Sequence, residues 1–450
     1  MSTAQIIQIV AFILVSVGGF ALAARSYMRI YRNIMMGRPE DLTDQPGKRT
    51  KKMLIFALGQ KKMFKITSAA ILHLAVYVAF LVTQIELLEI FVDGFSGQHR
   101  VFYHLFEGIA VLEGLYVGVI NFIEILSVAA LIATIIFLAR RNLLKLPRFT
   151  MREMAGWPFK DANIILFIEI YLIACIFMMN GGDQVLHHSS EGKYYPFLLS
   201  RLIGPALFGG LDAGAVKIVE RIGWWGHFLG VIAFLNYLPI SKHLHILLAF
   251  PNAWFSRLDR PTGYMDSMDT VTKEIKLMMN PDTAFAAPED GAEAEIPTFG
   301  AKDVDDLSWK NLLDAYTCTE CGRCTSACPA NQTGKLLSPR KIMMDVRDRM
   351  EEVGEARRAN GGQPVDDGKS LISDEYISVE ELRACTTCNA CVEECPVLIS
   401  PLDIIAQLRR NLILEQSQSP EEWNVMFSNI ENNGAPWQFS QQDRLKWVEE

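Results

Sequence analysis

Eight of the nine cysteines in this chain fall into two runs of identical spacing, Cys318-x2-Cys321-x2-Cys324-x3-Cys328-Pro329 and Cys385-x2-Cys388-x2-Cys391-x3-Cys395-Pro396. Thiolates bind iron, and this is the spacing of bacterial [4Fe–4S] runs whose fourth cysteine serves the other cluster. Three cysteines at x2 intervals let a short winding loop turn three sulfurs toward one face of a cubane. The fourth, ahead of proline, points away. The pattern predicts one cluster on Cys318, Cys321, Cys324 and Cys395, and a second on Cys385, Cys388, Cys391 and Cys328. Zinc takes four ligands with paired spacing, which two such quartets do not match. Cys175 stands alone in an apolar segment and reads as a small buried hydrophobe.

Histidine is the second residue type with redox chemistry, as an axial ligand of haem iron. His227 and His245 are 18 residues apart, five helical turns or roughly 27 Å along one face, enough to serve two stacked haems. Pro239 between them is a candidate kink. His73 lies at a depth matching His245, so the pair His73/His245 is expected to ligate a haem b. For a second haem the available pair is His104 and His227, because the position ten residues beyond His73 is Thr83. His243 is turned about 160° from His245 on a helical wheel. His99, His187 and His188 fall in expected external loops and read as solvated. The bland alternative is that these histidines hydrogen-bond between helices or line a quinone pocket. Glu113, Glu124 and Glu169 read either as proton relays or as packing groups.

The elements that must hold these residues differ between the two halves. Residues 1–255 contain five apolar runs of membrane-spanning length, near 4–24, 66–91, 117–139, 161–180 and 222–249. No Lys or Arg precedes the first run and a basic segment follows it, which suits an uncleaved anchor better than a signal peptide. Loop 25–65 carries eleven Lys/Arg and loop 140–160 six, against one in 92–103 and four in 181–221. The basic loops are expected to face the cytoplasm, placing the N-terminus outside and the cysteine domain in the reducing cytoplasm. The stretch from 101 is expected to start as an interfacial helix, and 181–221 to form an external cap.

Residues 256–306 read as a linker, acidic and Pro-rich over 281–306. Residues 307–450 form the cysteine domain, with helices expected at 338–357, 379–384 and 402–413. The 56 residues between the motifs exceed a compact βαβ ferredoxin. The fold class expected is therefore all-α: a five-span transmembrane bundle joined to an α-helical ferredoxin domain. The charge run Arg347 to Arg358 reads as a solvated helix face. A net charge of −8, with no basic stripe, argues against nucleic-acid binding.

The stretches "LSWKNLLDAYTCTECGRCTSACPANQTGKLLSP", "CTTCNACVEECPV" and "NIENNGAPW" resemble the heterodisulfide-reductase-like iron–sulfur proteins. The similarity is greatest to the bacterial membrane-bound iron–sulfur partner of electron-transfer flavoprotein. "GWWGHFLGVIAFLNYLPISKHLHILLAFPN" looks like that family's last membrane helix, and the five-span layout resembles the haem b (gamma) subunit of respiratory nitrate reductase. The gamma-subunit pattern has two histidines on the second span where this chain has His73 and Thr83. The resemblance therefore implies one haem on His73/His245. Longer family members add Cys-Cys-Gly domains, for which this chain has no cysteine to spare, so a separate polypeptide is expected to supply them.

The expected function is that of a respiratory electron-transfer subunit in the inner (cytoplasmic) membrane. It would carry electrons between a cytoplasmic partner, an electron-transfer flavoprotein or a cysteine-rich dithiol subunit, and the membrane quinone. The rival is a membrane anchor that docks and wires a separate catalytic subunit without a quinone site of its own.

Overall fold

Ser2 and Gln5 cap one another, Gln5 N–H donating to Ser2 Oγ at 3.3 Å and Ser2 N–H to Gln5 Oε1 at 2.8 Å. That capping box opens a long apolar helix, α1 (Thr3–Ile34). The computed structural model describes residues 2–258, 268–280 and 298–449. Most of the expected linker, 259–267 and 281–297, lies outside the described residues. In the membrane half α1 is followed by α2 (Pro46–Met53), α3 (Thr67–Ser96), α4 (Val101–Phe106), α5 (Ala110–Asn142), α6 (Trp157–Glu191), α7 (Ser200–Phe208), α8 (Ala213–Tyr237) and α9 (His245–Trp254). Five stretches are long and apolar enough to cross a membrane: Gln5–Ile34, Thr67–Ser96, Ala110–Asn142, Trp157–Glu191 and Ala213–Ile240. Among the described residues there is no strand, only two isolated bridges. The protein is an all-α membrane protein.

Two corrections concern the membrane half. The fifth span starts at Ala213 and ends at Ile240, not at 249, so His227 and His245 do not share a helix. Pro239 lacks an N–H and ends α8, and two 3-10 turns follow before α9 begins at His245 itself. The five-turn spacing argument therefore does not hold. His187 and His188 are not loop residues but lie in the last turn of α6, stacked on Tyr195 and Tyr194 with ring centroids 3.9 and 4.1 Å apart.

Close helix contact explains the position of the lone cysteine. Along α8, a Cβ at Gly223 would sit 2.6 Å from Met179 N, and one at Gly226 would sit 2.9 Å from Cys175 Sγ. Only glycine lets α6 and α8 approach so closely. Cys175 is buried in this seam.

After α10 (Asp269–Met279), the cysteine half begins with α11 (Trp309–Thr317), α12 (Arg323–Ala327), α13 (Pro329–Gln332) and α14 (Pro339–Ala359). It continues with α15 (Val379–Ala384), α16 (Ala390–Glu394), α17 (Pro401–Arg410) and α18 (Glu421–Asn433). Its hydrophobic core includes Ile30 and Ile34 from the end of α1 and Leu244 from the turn before α9. Asn33 Nδ2 donates to Tyr316 Oη at 2.8 Å, and the backbones of Arg38, Leu307 and Trp309 exchange hydrogen bonds. The cysteine half is docked on the bundle through a shared core.

The charge run on α14 is a third correction. Arg349 is buried and forks between Asp303 and Asp367, Arg347 reaches Glu320 at 2.6 Å, and Arg358 donates to Asn33 at 3.0 Å. These guanidiniums tie α14 to the loops and to α1, because planar multi-donor forks satisfy several acceptors at once.

Candidate redox centres

The two cysteine loops are built alike. In each, a helix with a capping box (Ser308 with Asn311; Ser378 with Glu381) delivers the first cysteine at its C-terminus. Two residues with positive φ then wind the chain: Glu320 (52°) and Gly322 (75°) in the first loop, Thr387 (55°) and Asn389 (62°) in the second. A short helix after the second of these carries the third cysteine, and the fourth begins the next turn before its proline. Two left-handed residues in five reverse the chain tightly enough to turn three sulfurs inward.

Electrostatic neighbours cross between the motifs. Cys395 is felt by Cys318 and Cys324, and feels Cys321, while Cys328 is felt by Cys385 and Cys391. Cys395 is thus a neighbour of the first motif and Cys328 of the second, and Cys324 also neighbours Cys391 across the two. Among the described residues no three of these sulfurs lie within 4.8 Å of one another. One tetrahedral zinc with bonds of about 2.3 Å would draw its thiolates to about 3.8 Å. No three of the sulfurs are therefore preset for one tetrahedral zinc. Burial, helped by neighbouring sulfurs, pushes the Cys318, Cys391 and Cys395 thiols up to about 12. Backbone N–H groups of Thr387 and Ile399 point at Cys385 and Cys395 Sγ, at 3.4 and 3.3 Å. Each motif has one buried cysteine, Cys318 and Cys328, and Cys388 alone of the eight is exposed.

Next to the first cysteine loop lie the histidines. His245 Nδ1 is 2.9 Å from the carbonyl of Lys242, His73 Nδ1 is 3.2 Å from Gln60 Oε1, and His227 Nδ1 is 3.2 Å from the carbonyl of Leu172. A carbonyl only accepts, so each Nδ1 carries the proton and each Nε2 keeps the lone pair that a metal would use. His73 and His245 are electrostatic neighbours, as are His73 and Arg323 of the first cysteine loop. His243 joins them, its ring centroid 5.3 Å from that of His245 and its Nδ1 buried without a partner. The helical wheel set His243 apart from His245, but a 3-10 turn precedes His245, so the wheel does not apply. Gln60, which orients His73, sits in a turn with φ 50° and gives no sequence signal. These residues suit a haem between His73 and His245, their Nδ1 atoms held from behind.

His104 and His227 are not brought together. His104 is half exposed on α4 and faces Glu107 at 3.5 Å, while His227 is buried in α8. Glu124 accepts from Leu199 N–H at 2.7 Å and from Ser200, Glu169 accepts from Thr134 at 2.9 Å, and Glu113 accepts from Gly108 N–H at 3.1 Å. All three carboxylates have internal partners.

At the opposite end of the bundle a charged network went unread in the sequence. His99 Nε2 lies 2.7 Å from Asp183 Oδ1, Arg100 Nε donates to Asp183 Oδ2 at 3.0 Å, and Arg221 Nε donates to Glu220 at 2.5 Å. His99 is therefore not simply solvated. Burial opposes its charge, but Asp183 and Glu220 outweigh that and hold its pKa above the ordinary value. His99, Asp183 and Glu220 present donor atoms within 4.8 Å of one another. Arg100 and Arg221 already neutralise those carboxylates, so this is a charge-paired lid rather than a cation site.

A family described as "4Fe-4S dicluster domain" matches residues 317–399. The chain is 27% identical to a "Probable iron-sulfur-binding oxidoreductase FadF" of Bacillus subtilis, over 93% of this chain and 57% of that protein. It is 25% identical to an "EtfAB:quinone oxidoreductase" of Syntrophomonas wolfei, over 90% of this chain and 55% of that protein. A "Probable membrane-anchored ferredoxin" of Chromohalobacter salexigens is 34% identical over 35% of this chain and 25% of its own length. The chain thus spans a little over half the length of the first two. No solved structure matches it. Fold, cysteine motifs and relatives together mark the chain as a membrane-associated iron–sulfur protein, similar to electron-transfer and oxidoreductase subunits. Its relatives, heterodisulfide reductase subunits among them, fit the heterodisulfide-reductase-like membrane family that the motifs resemble.

Proposed function

We propose that the chain is a respiratory subunit of the inner membrane that carries electrons between a soluble flavoprotein or dithiol partner and membrane quinone. Two [4Fe–4S] clusters and a haem b would supply the one-electron carriers when bound. The observation that carries this reading is the order of the donor sets. The exposed Cys388 belongs to one quartet, and the other has no exposed cysteine and a loop residue, Arg323, that neighbours His73. A partner would meet the chain at Cys388, and the quartet with Cys395 would stand between it and the His73/His245 pair. Within this proposal residues 1–255 are the haem and quinone domain and 307–450 the ferredoxin domain, facing the cytoplasm beside the basic loops. Gln60 and the Lys242 carbonyl orient the two imidazoles, and Asn33, Arg38 and Trp309 hold the ferredoxin domain over them. The test is a reduced-minus-oxidised visible spectrum with iron and haem quantification on the purified protein. A b-type spectrum and about eight irons per chain are expected, and eight irons without haem would remove the haem from the scheme.

The anchor reading draws support from one surface. On α18 and beyond it Trp423, Phe427, Ile430, Trp437 and Phe439 are exposed, an apolar face of the kind that marks partner docking. Quinone reduction that persists after intramembrane substitutions such as His73→Ala would favour the anchor.

A further inference from the structure

Lys242 sits in the 3-10 turn between α8 and α9, and every polar group it has is engaged. Its N–H donates to Asp161 Oδ2 at 3.0 Å, and its carbonyl accepts from His245 Nδ1 at 2.9 Å. Its Nζ donates to the Pro158 carbonyl at 2.6 Å and to Glu320 Oε2 at 2.5 Å. Glu320 lies between Cys318 and Cys321, in the positive-φ turn of the first cysteine loop, and its other oxygen accepts from Arg347 at 2.6 Å. The Lys242 and Glu320 side chains are 9% and 3% exposed, so the pair is inside the protein. Asp161 is itself held by Tyr237 Oη at 2.6 Å. One residue therefore ties the start of α6, the His245 turn, the first cysteine loop and, through Glu320, α14.

We propose that Lys242 is a positioning residue, locking the Cys318–Cys324 loop onto the His245 turn and tuning the cluster held there through its charge pair with Glu320. This rests on the reading above, with a cluster on Cys318, Cys321, Cys324 and Cys395 and a haem on His73 and His245. Its physical basis has two parts. Transfer between two centres depends on their separation, and a buried ion pair with further hydrogen bonds holds geometry better than an apolar contact. A buried charge also biases reduction, since an electron added to the cluster is attracted by a nearby cation and repelled by a nearby anion. Removing Lys242 leaves Glu320 with Arg347 and its neighbour Arg141, and removing Glu320 leaves the Lys242 ammonium with Asp161 as its neighbouring anion. The two losses push the potential in opposite directions, which simple loosening of the loop would not do.

The experiment uses the full-length protein, purified with its cofactors, and measures the midpoint potential of each cluster and the rate of electron passage from clusters to haem. Lys242→Met is expected to lower the potential of the Cys318-side cluster and Glu320→Gln to raise it. Each change should reach about a tenfold shift in the reduction equilibrium, or about 59 mV for one electron. The double variant should return toward the wild-type potential, Lys242→Arg should stay near it, and both single variants should slow passage at least tenfold. Shifts of the same sign in both single variants, or none, in a protein whose wild type holds both clusters and haem would overturn the lock alone. A wild type lacking b-type haem would instead overturn the reading on which the lock rests. Should Lys242→Met fail to assemble, Glu320→Gln and Lys242→Arg decide the same question: an unmoved Glu320→Gln potential overturns the proposal.

Discussion

At the end of the bundle away from the cysteines, Arg100 is buried among Glu86, Glu89, Asp93 and Asp183, with most hydrogen-bonding capacity in use. At the end beneath the cysteines three imidazoles, His73, His243 and His245, meet with Lys242 and Arg323 close by. The first end is a mesh of buried ion pairs; the second gathers three imidazoles. On the proposed reading, the contrast separates a region held together by ion pairs from one that would hold a redox group.

Substitutions should divide along the same line. Arg100→Ala leaves buried carboxylates unpaired and should destabilise the protein by about 3–5 kcal/mol, read as lost folded material in detergent melts, with iron per folded chain unchanged. Cys388→Ser should remove about four of the about eight irons while the bundle remains intact, as iron analysis and circular dichroism would report. His73→Ala should abolish a b-type spectrum yet, against wild-type protein prepared without haem, move the melting free energy by about 1 kcal/mol. A melt as damaged as that of Arg100→Ala would erase the distinction between the two ends. A smaller effect comes from Glu153, which accepts from the buried Arg340 at 2.7 Å. Burial alone would raise the Glu153 pKa, but Arg340 outweighs it and holds it below 4.5. Its contribution is complete above 4.5 and fades as pH falls through the lower folded value. Proteolysis of loop 143–156 should accordingly quicken below about pH 4.5, and Glu153→Gln should show that faster cleavage already at neutral pH.

What could be read from the chain without coordinates follows from how far apart the interacting residues lie. The cysteine quartets, the capping boxes and the helices at 339–359 and 379–384 are set by residues a few positions apart, and local spacing reveals them. Hydropathy located five spans because each is apolar in itself. The fifth was misjudged at its end, since the apolar run continues past Pro239 although the helix does not. The charge run on α14 misled for a different reason: whether Arg349 meets water or Asp303 depends on a loop 46 residues away. Arg100 with Asp183, and Lys242 with Glu320, are likewise separated by 83 and 78 residues, and no period or motif announces such pairs.

The shared core of α1 and the cysteine half bears on how the molecule is made. Asn33 meets Tyr316 283 residues later in the chain. At roughly 5–20 residues per second, synthesis delivers that partner about 15–60 s after Asn33 itself. Until then the last turns of the first span, with Ile30 and Ile34, have no core to enter. The end of the anchor is thus packed only when the last third of the polypeptide has folded. A ribosome stalled before that point would leave an unfinished helix end for the quality-control machinery of the cell to find.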